Sequence, residues 1–251
     1  MTDPREDLAE LRESIDVSTQ RYEEAVRAAG PVTGADPSGT VQVRIDAQGA
    51  PQDVVVRDGW ATHHGAAGLG AAVLEAYGSA GAERARLWGE ATVQSLDEPA
   101  PRARPAATGV ESLTDRLREL AAQSGDRVDV RRSIDELTEL LRTVNSRLDT
   151  AFDQVAERAA AEHEGRSAAG HVTAAVNGAG VLVRVEADEQ WAARTHPFNL
   201  SRELTEALGA AVQAATRTVP EQPFDGTALA DAARLFADPD ALARRAGFLH
   251  E

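Results

Sequence analysis

The sequence has no cysteine and no lysine, only 4% aromatic residues and no long apolar run. Without cysteine there is no disulfide framework, no thiolate metal site and no cysteine nucleophile, so stability has to come from packing. Without lysine, all 26 basic residues are arginine, and they stand against 41 acids for a formal net charge of -15. That balance favours solubility and repels phosphate backbones at long range. So few aromatics leave little from which to build a stacking platform for single-stranded nucleic acid. No stretch approaches the roughly 20 apolar residues of a membrane span, and the opening MTDPREDLAEL is acidic where a signal peptide is basic and then apolar. A cytoplasmic location with no membrane partner is therefore expected. With 42% hydrophobic residues in 251, the chain can bury a core as one large domain or two small ones.

The chain does contain an internal repeat. Sliding the sequence by 131 positions aligns residues 39–86 on 170–217 without a gap, and 12 of the 48 pairs are identical. The identities include the glycine that opens each unit (Gly39/Gly170), a turn glycine (Gly49/Gly180), a tryptophan (Trp60/Trp191) and apolar helix positions (Leu69/Leu200, Ala76/Ala207, Ala80/Ala211). Each unit starts with alternating apolar residues, Val41, Val43, Ile45 and Val172, Ala174, Val176, the period-2 mark of a strand with one buried face. Asp46-Ala47-Gln48-Gly49 and Asn177-Gly178-Ala179-Gly180 supply turn chemistry, so both units read as β-hairpins. The returning strands are expected to bury Val54 and Val56 in one copy, Val183 and Val185 in the other, before each reaches its tryptophan. Beyond it, Leu69, Val73, Tyr77 and Ala80 recur at helical spacing, matched by Leu200, Leu204, Leu208 and Ala211.

A long helix precedes each hairpin. The first opens with Asp3 as N-cap, Pro4 at the first helical position and Glu6 completing a capping box. Leu8, Leu11, Ile15, Ser18, Tyr22, Ala25 and Ala29 follow at 3-4 spacing. The second opens Ser133-x-x-Glu136 and carries Ile134, Leu137, Leu141, Val144, Leu148, Ala151 and Val155. Stripes this narrow suit a helix-helix seam more than a broad core face. EPAPRARPAATG (98–109) reads as a linker, 113–122 as a short amphipathic helix, and two short helices follow Pro220, capped near Asp225 to Thr227 and at Asp238-Pro239. The expected division is a first repeat over 1–94, a linker over 95–132, a second repeat over 133–219 and a helical tail over 220–251.

A two-stranded hairpin is marginal alone, so its apolar face and edges need a partner, and the second copy is the obvious one. The order of helix, alternating strand after glycine (Gly39-Thr-Val-Gln-Val-Arg-Ile), turn glycine, returning strand and Leu/Ala helix resembles the YbaB/EbfC family of nucleoid-associated proteins. The resemblance covers roughly residues 5–90 and 134–219. It implies an α+β fold built from two units, each a long helix, a small antiparallel sheet and a helix, paired as an intramolecular pseudo-dimer. It also implies DNA binding without chemistry.

Other candidate sites are weaker. GAAGLGAA (65–72) lacks phosphate-loop spacing, and its counterpart HPFNLSRE has no glycine, so it is expected to be a flexible helix entry. His63 and His64 are adjacent, their counterparts are Arg194 and Thr195, and they read as surface or loop histidines with no metal. No catalytic residue, cofactor or small-molecule substrate is expected. Trp60, Trp191, Gly49 and Gly180 read as structural anchors, with both tryptophans in equivalent, mainly buried positions. The charge map locates any phosphate contact: residues 102–132 hold seven arginines and five acids, whereas the rest carries a net -17. Arg102, Arg104, Arg127, Arg131 and Arg132 are thus the candidate contacts for duplex DNA. The alternative is an acidic protein-interaction module, a chaperone or accessory factor of a secretion or DNA-maintenance system, whose repeats bind a partner protein.

Overall fold

The computed structural model describes residues 4–97, 101–102, 130–220 and 224–245, and the fold is α+β. In chain order the elements are α1 (Pro4–Ala29), β1 (Val32–Ala35), β2 (Val41–Ile45), β3 (Pro51–Val56), α2 (Trp60–His64), α3 (Leu69–Asp97) and α4 (Val130–Ala160). There follow β4 (Glu162–Arg166), β5 (Val172–Asn177), β6 (Leu182–Ala187), α5 (Glu189–Ala192), α6 (Pro197–Thr218), α7 (Ala230–Ala237) and α8 (Pro239–Arg245). The described residues fall into two compact units, one drawn from 1–103 and 159–219, the other from 104–158 and 220–251.

In the first unit each expected hairpin proves to be part of a three-stranded antiparallel meander, β1-β2-β3 and β4-β5-β6. The added strands β1 and β4 carry little apolar alternation because each centres on a glycine, Gly34 or Gly165, aligned at the same offset of 131. A Cβ on Gly34 would lie 2.1 Å from the Ala80 amide nitrogen, and one on Gly165 would lie 2.0 Å from that of Ala211. Each glycine lets its strand lie directly on the backbone of the following helix, which a side chain would prevent. The strand interiors follow the sequence pattern, with Val41, Val43, Ile45, Val172, Ala174 and Val176 all buried. One expectation fails: Val183 is exposed, and Leu182 takes its place in the core. The pairing shifts register between Ala175 and Val176, and this bulge turns the returning strand by one residue.

The helices exchange strands between repeats. Helix α3 packs on β1 and β2 of its own repeat and on β6 of the other, while α6 packs on β4 and β5 of its own repeat and on β3 of the other. Leu69, Val73, Ala76 and Ala80 join Leu200, Leu204, Ala207, Leu208 and Ala211 in one continuous core with the strands of both repeats. The two hairpin turns also meet. The Tyr77 hydroxyl donates to the Gly49 carbonyl at 3.0 Å and accepts from the Leu182 backbone N–H, and burial raises its pKa. In the second unit, the Arg158 guanidinium donates to the Asp225 carbonyl at 2.8 Å, and the Ala228 N–H donates to the Gln154 side-chain carbonyl at 2.7 Å. Leu229, Leu242 and Ala243 are buried there. The tail helices start close to the expected caps, with the Asp238 carboxylate accepting from the Asp240 and Ala241 N–H groups.

Candidate functional site

A concave feature lies within the first unit, where strand β3 of one repeat meets the start of α6 of the other. The groove is about 860 Å³ and is lined by Val54, Val55, Val56, Pro197 and Phe198, with Arg57 and Arg202 among its polar residues. Strand β3 is a sheet edge, and its outward N–H groups need acceptors. They find them on the helix: Val56 N–H donates to Ser201 Oγ at 2.8 Å and Val54 N–H to Thr205 Oγ1 at 3.1 Å. The Thr205 hydroxyl in turn donates to the Asp53 carboxylate at 3.0 Å, and Ser201 donates to the Pro197 carbonyl at 2.9 Å. Both hydroxyls therefore serve as edge caps. His196 is the N-cap of α6, its Nδ1 accepting from the Phe198 N–H at 3.2 Å, with Pro197 fixing the first turn. Glu206 accepts from the Ala168 N–H and pairs with Arg202 at 3.7 Å.

Each repeat also buries a carboxylate beside a histidine at the turn between its first two strands. In the first, Asp36 accepts from the Val41 N–H at 2.6 Å, the Ser38 N–H at 2.8 Å and the Ser38 hydroxyl, and it meets His64 Nε2 at 3.0 Å. Burial pushes this carboxyl up, but the hydrogen bonds from Ser38, Val41 and His64 outweigh it and hold the pKa at about 2. Ser38 and Asp36 reach the same ring nitrogen of His64, at 3.1 and 3.0 Å. A Ser-His-Asp relay needs contacts on opposite nitrogens, so this cluster works as a turn cap. His64 is thus no surface histidine: the short helix α2 folds it over the β1–β2 turn, which adjacency in sequence could not reveal. In the second repeat Ser167 stands in place of Asp36 and accepts from the Val172 N–H at 3.1 Å. The carboxylate comes from Glu203 on α6 instead, 2.9 Å from Ser167 Oγ and 3.1 Å from His171 Nδ1.

The residues singled out by sequence are scattered. Gly49 and Gly180 hold φ of 96° and 79° in the two turns, where Asp46 and Asn177 side chains accept the following N–H groups. Trp60 is 4% exposed, but Trp191 is only half-buried and stacks flat on His171, ring centroids 4.5 Å apart, so the two tryptophans are not equivalent. Gly70, expected in a flexible helix entry, makes a close approach to the other repeat: a Cβ there would sit 2.2 Å from the Val185 carbonyl oxygen. Arg102 is exposed, and its carbonyl accepts from the Gln20 side chain at 3.1 Å. Arg131 and Arg132 fall in the first turn of α4, whereas Arg104, Arg127 and the helix expected over 113–122 lie outside the described residues. The candidate DNA contacts are therefore not assembled into a described surface. Among the described residues no group of three or more acids and histidines could hold a metal ion, and no helix is long and apolar enough to cross a membrane.

Compared with known proteins, residues 134–223 match the model of the YbaB/EbfC DNA-binding family. No curated protein and no solved structure matches the chain.

Proposed function

We propose, from the match of residues 134–223 to the YbaB/EbfC DNA-binding family, that the chain is a non-enzymatic, nucleoid-associated type of protein that binds duplex DNA weakly and without sequence preference. The family match is the observation that carries this reading. In it, two copies of the family unit pair within one chain as a pseudo-dimer, and the reciprocal packing of α3 on β6 and α6 on β3 supports that pairing. Tethering replaces bimolecular association by a high local concentration, so the pair forms without a second chain. With a net charge of -15, phosphate contact falls to the arginines of 102–132, namely Arg102, Arg104, Arg127, Arg131 and Arg132. On this reading the protein acts in the cytoplasm, on the nucleoid.

The test is a titration of the full chain with labelled duplex at low and moderate salt, beside the Arg127→Gln, Arg131→Gln, Arg132→Gln triple variant. Each neutralised phosphate contributes about -0.9 to the log-log salt slope, so the variant should bind more weakly and with a shallower slope on every sequence. No shift at about 50 mM salt and micromolar protein, where non-specific DNA binders are normally occupied, sinks the DNA reading. A fragment of residues 1–94 tests the pairing: it should aggregate, dimerise or lose structure, and a stable compact monomer defeats the pseudo-dimer. A second reading, an acidic module that binds a partner protein, draws on the exposed apolar residues of α1 and becomes the better one if DNA is not bound.

A further inference from the structure

At the turn between β2 and β3, the first repeat holds a guanidinium with too few acceptors. Arg84 of α3 lies over this turn, and its Nη1 donates to the Ala47 carbonyl at 3.3 Å. Glycine at position 49 leaves room for it, since a Cβ there would sit 3.3 Å from Nη2. The Arg84 Nε is buried and finds no acceptor in the protein. Buried donors are nearly always paired, because the hydrogen bond they give up to water is otherwise lost. Arg84 lines a cavity of about 510 Å³ together with Tyr22, Val26 and Arg27 of α1 and Gln48 of the turn. Two acids lie close by, and both are engaged. Asp46 accepts from the Gln48 and Ala50 N–H groups, each at 2.9 Å, and Glu23 on the cavity wall has a partner of its own. Among the described residues neither Arg27 nor Arg84 is ion-paired, so the cavity keeps two uncompensated positive charges.

The second repeat shows what an arginine does at this place on the helix. Arg158 and Gln154 align with Arg27 and Glu23 at the offset of 131. They take the Asp225 carbonyl at 2.8 Å and the Ala228 N–H at 2.7 Å from the chain's own tail. There the protein itself supplies the acceptor oxygen. In the first repeat no described segment does so for Arg27, and a second arginine, Arg84, stands where the second repeat has Ala215.

We propose that this cavity binds a small phosphate monoester, with Arg27 and Arg84 on its oxygens and the Tyr22 ring beside its organic body. A monoester carries a charge of about -2 near pH 7 and three strong acceptor oxygens, which matches two arginines and their surplus of donors. Tyr22, 60% exposed and edge-on to Trp88 at 6.3 Å, supplies an apolar surface at the cavity wall. A rigid duplex cannot enter a cavity of this size to reach a recessed donor, and the net charge of -15 repels a polyanion far more than a dianion. The site is therefore distinct from the DNA contacts proposed within 102–132 and does not rest on them.

The test is calorimetric titration of the full chain with phenyl phosphate, at constant ionic strength so that general screening does not change. A dissociation constant of about 1 mM or tighter is expected, the scale set by about eleven non-hydrogen atoms. Inorganic phosphate, with no body to lie on Tyr22, should bind about three-fold to ten-fold more weakly. Arg27→Gln, at an exposed position, and Arg84→Gln should each weaken phenyl phosphate at least about ten-fold. Since Arg84 also packs on the turn, a direct readout accompanies its variant: the Arg84 Nε–H resonance, identified by its loss in Arg84→Gln, should shift when the ester is added. No binding up to about 10 mM overturns the inference, as does affinity unchanged in Arg27→Gln or an Arg84 Nε–H signal that does not move. Displacement of the ester by duplex DNA, with both variants losing DNA affinity to the same extent, makes these arginines polymer contacts and also overturns it. Failure of the full chain to bind DNA, with the ester still bound, defeats the DNA reading and upholds this one.

Discussion

The two repeats begin from the same outline and solve the same local problems with different side chains. Where the first repeat caps its β1–β2 turn with Asp36 and closes it with His64 from α2, the second uses Ser167, Glu203 from α6 and His171. Where α3 meets the other repeat's edge strand through Gly70, α6 does so through Ser201 and Thr205. Gly70 and Ser201 are aligned positions, as are Leu74 and Thr205. What the copies share exactly in kind is backbone geometry: the positive-φ turn glycines and the strand glycines that admit a helix. The groove, by contrast, is lined on its helix side by His196, Phe198, Ser201 and Arg202, where the first copy has Gly65, Ala67, Gly70 and Ala71. The scaffold common to the two units is set by close packing, while the side chains that decorate it differ.

The sharpest way to break this comparison is at the tryptophans. Trp60→Ala should cost about 3–5 kcal/mol, as for other buried aromatics, in chemical denaturation. Trp191→Ala should cost about 2 kcal/mol or less, since only part of its surface leaves water. Equal losses would mean that the flat stack on His171 anchors as strongly as full burial.

Next come the glycines. Gly34→Ala and Gly165→Ala should each cost at least about 2–3 kcal/mol, because the new methyl group meets helix backbone that cannot yield without shifting the core. The aligned helix glycines Gly78 and Gly209 have open space around a would-be Cβ, so alanine there should stabilise by about 0.5–1 kcal/mol. If all four substitutions have the same sign, the strand glycines are not what sets the helix-sheet distance.

A smaller effect is expected at the edge caps. Ser201→Ala and Thr205→Val should each cost about 1 kcal/mol and speed amide exchange at Val56 and Val54 respectively. Leu74→Ala, at the position aligned with Thr205, removes no hydroxyl and should leave those two amides protected. Unchanged exchange in both hydroxyl variants would show that water in the groove serves equally well.

The smallest effect appears only in acid. Asp36 is held at about 2, below its ordinary 3.8, so its contribution is present above about pH 4 and is lost as pH falls toward 2. Asp36→Asn should flatten the stability curve in that window and leave the slope above pH 5 unchanged.

Much of this was legible in the residues. Alternation in Val41-Val43-Ile45 and Val172-Ala174-Val176 marked buried strand faces, and Leu69/Val73 with Leu200/Leu204 marked the helix faces, because burial imposes periods of 2 and 3.6 on whatever apolar residues are present. Turn chemistry at Gly49 and Gly180 was equally local. Strands β1 and β4 were not legible, since Gly34 and Gly165 are there to have no side chain and so leave no apolar signal. Val183 was misassigned because the bulge sets Leu182, three residues before the buried Val185, on the core face in place of Val183. His64 was misread because its partner Asp36 lies 28 residues away.

The sequence by itself therefore determined the long helices, the strands β2, β3, β5 and β6, the likeness between residues 39–86 and 170–217, and the match of residues 134–223 to the YbaB/EbfC DNA-binding family. These follow from periodicity and local backbone preference, which act over a few residues. Only the tertiary structure decided which helix covers which strand. The exchange of β3 and β6 between α3 and α6 is a choice among apolar faces of nearly equal character, and periodicity cannot distinguish them. It is settled by contacts between residues more than a hundred positions apart: Ser201 and Thr205 on the β3 amides, and Gly70 against Val185.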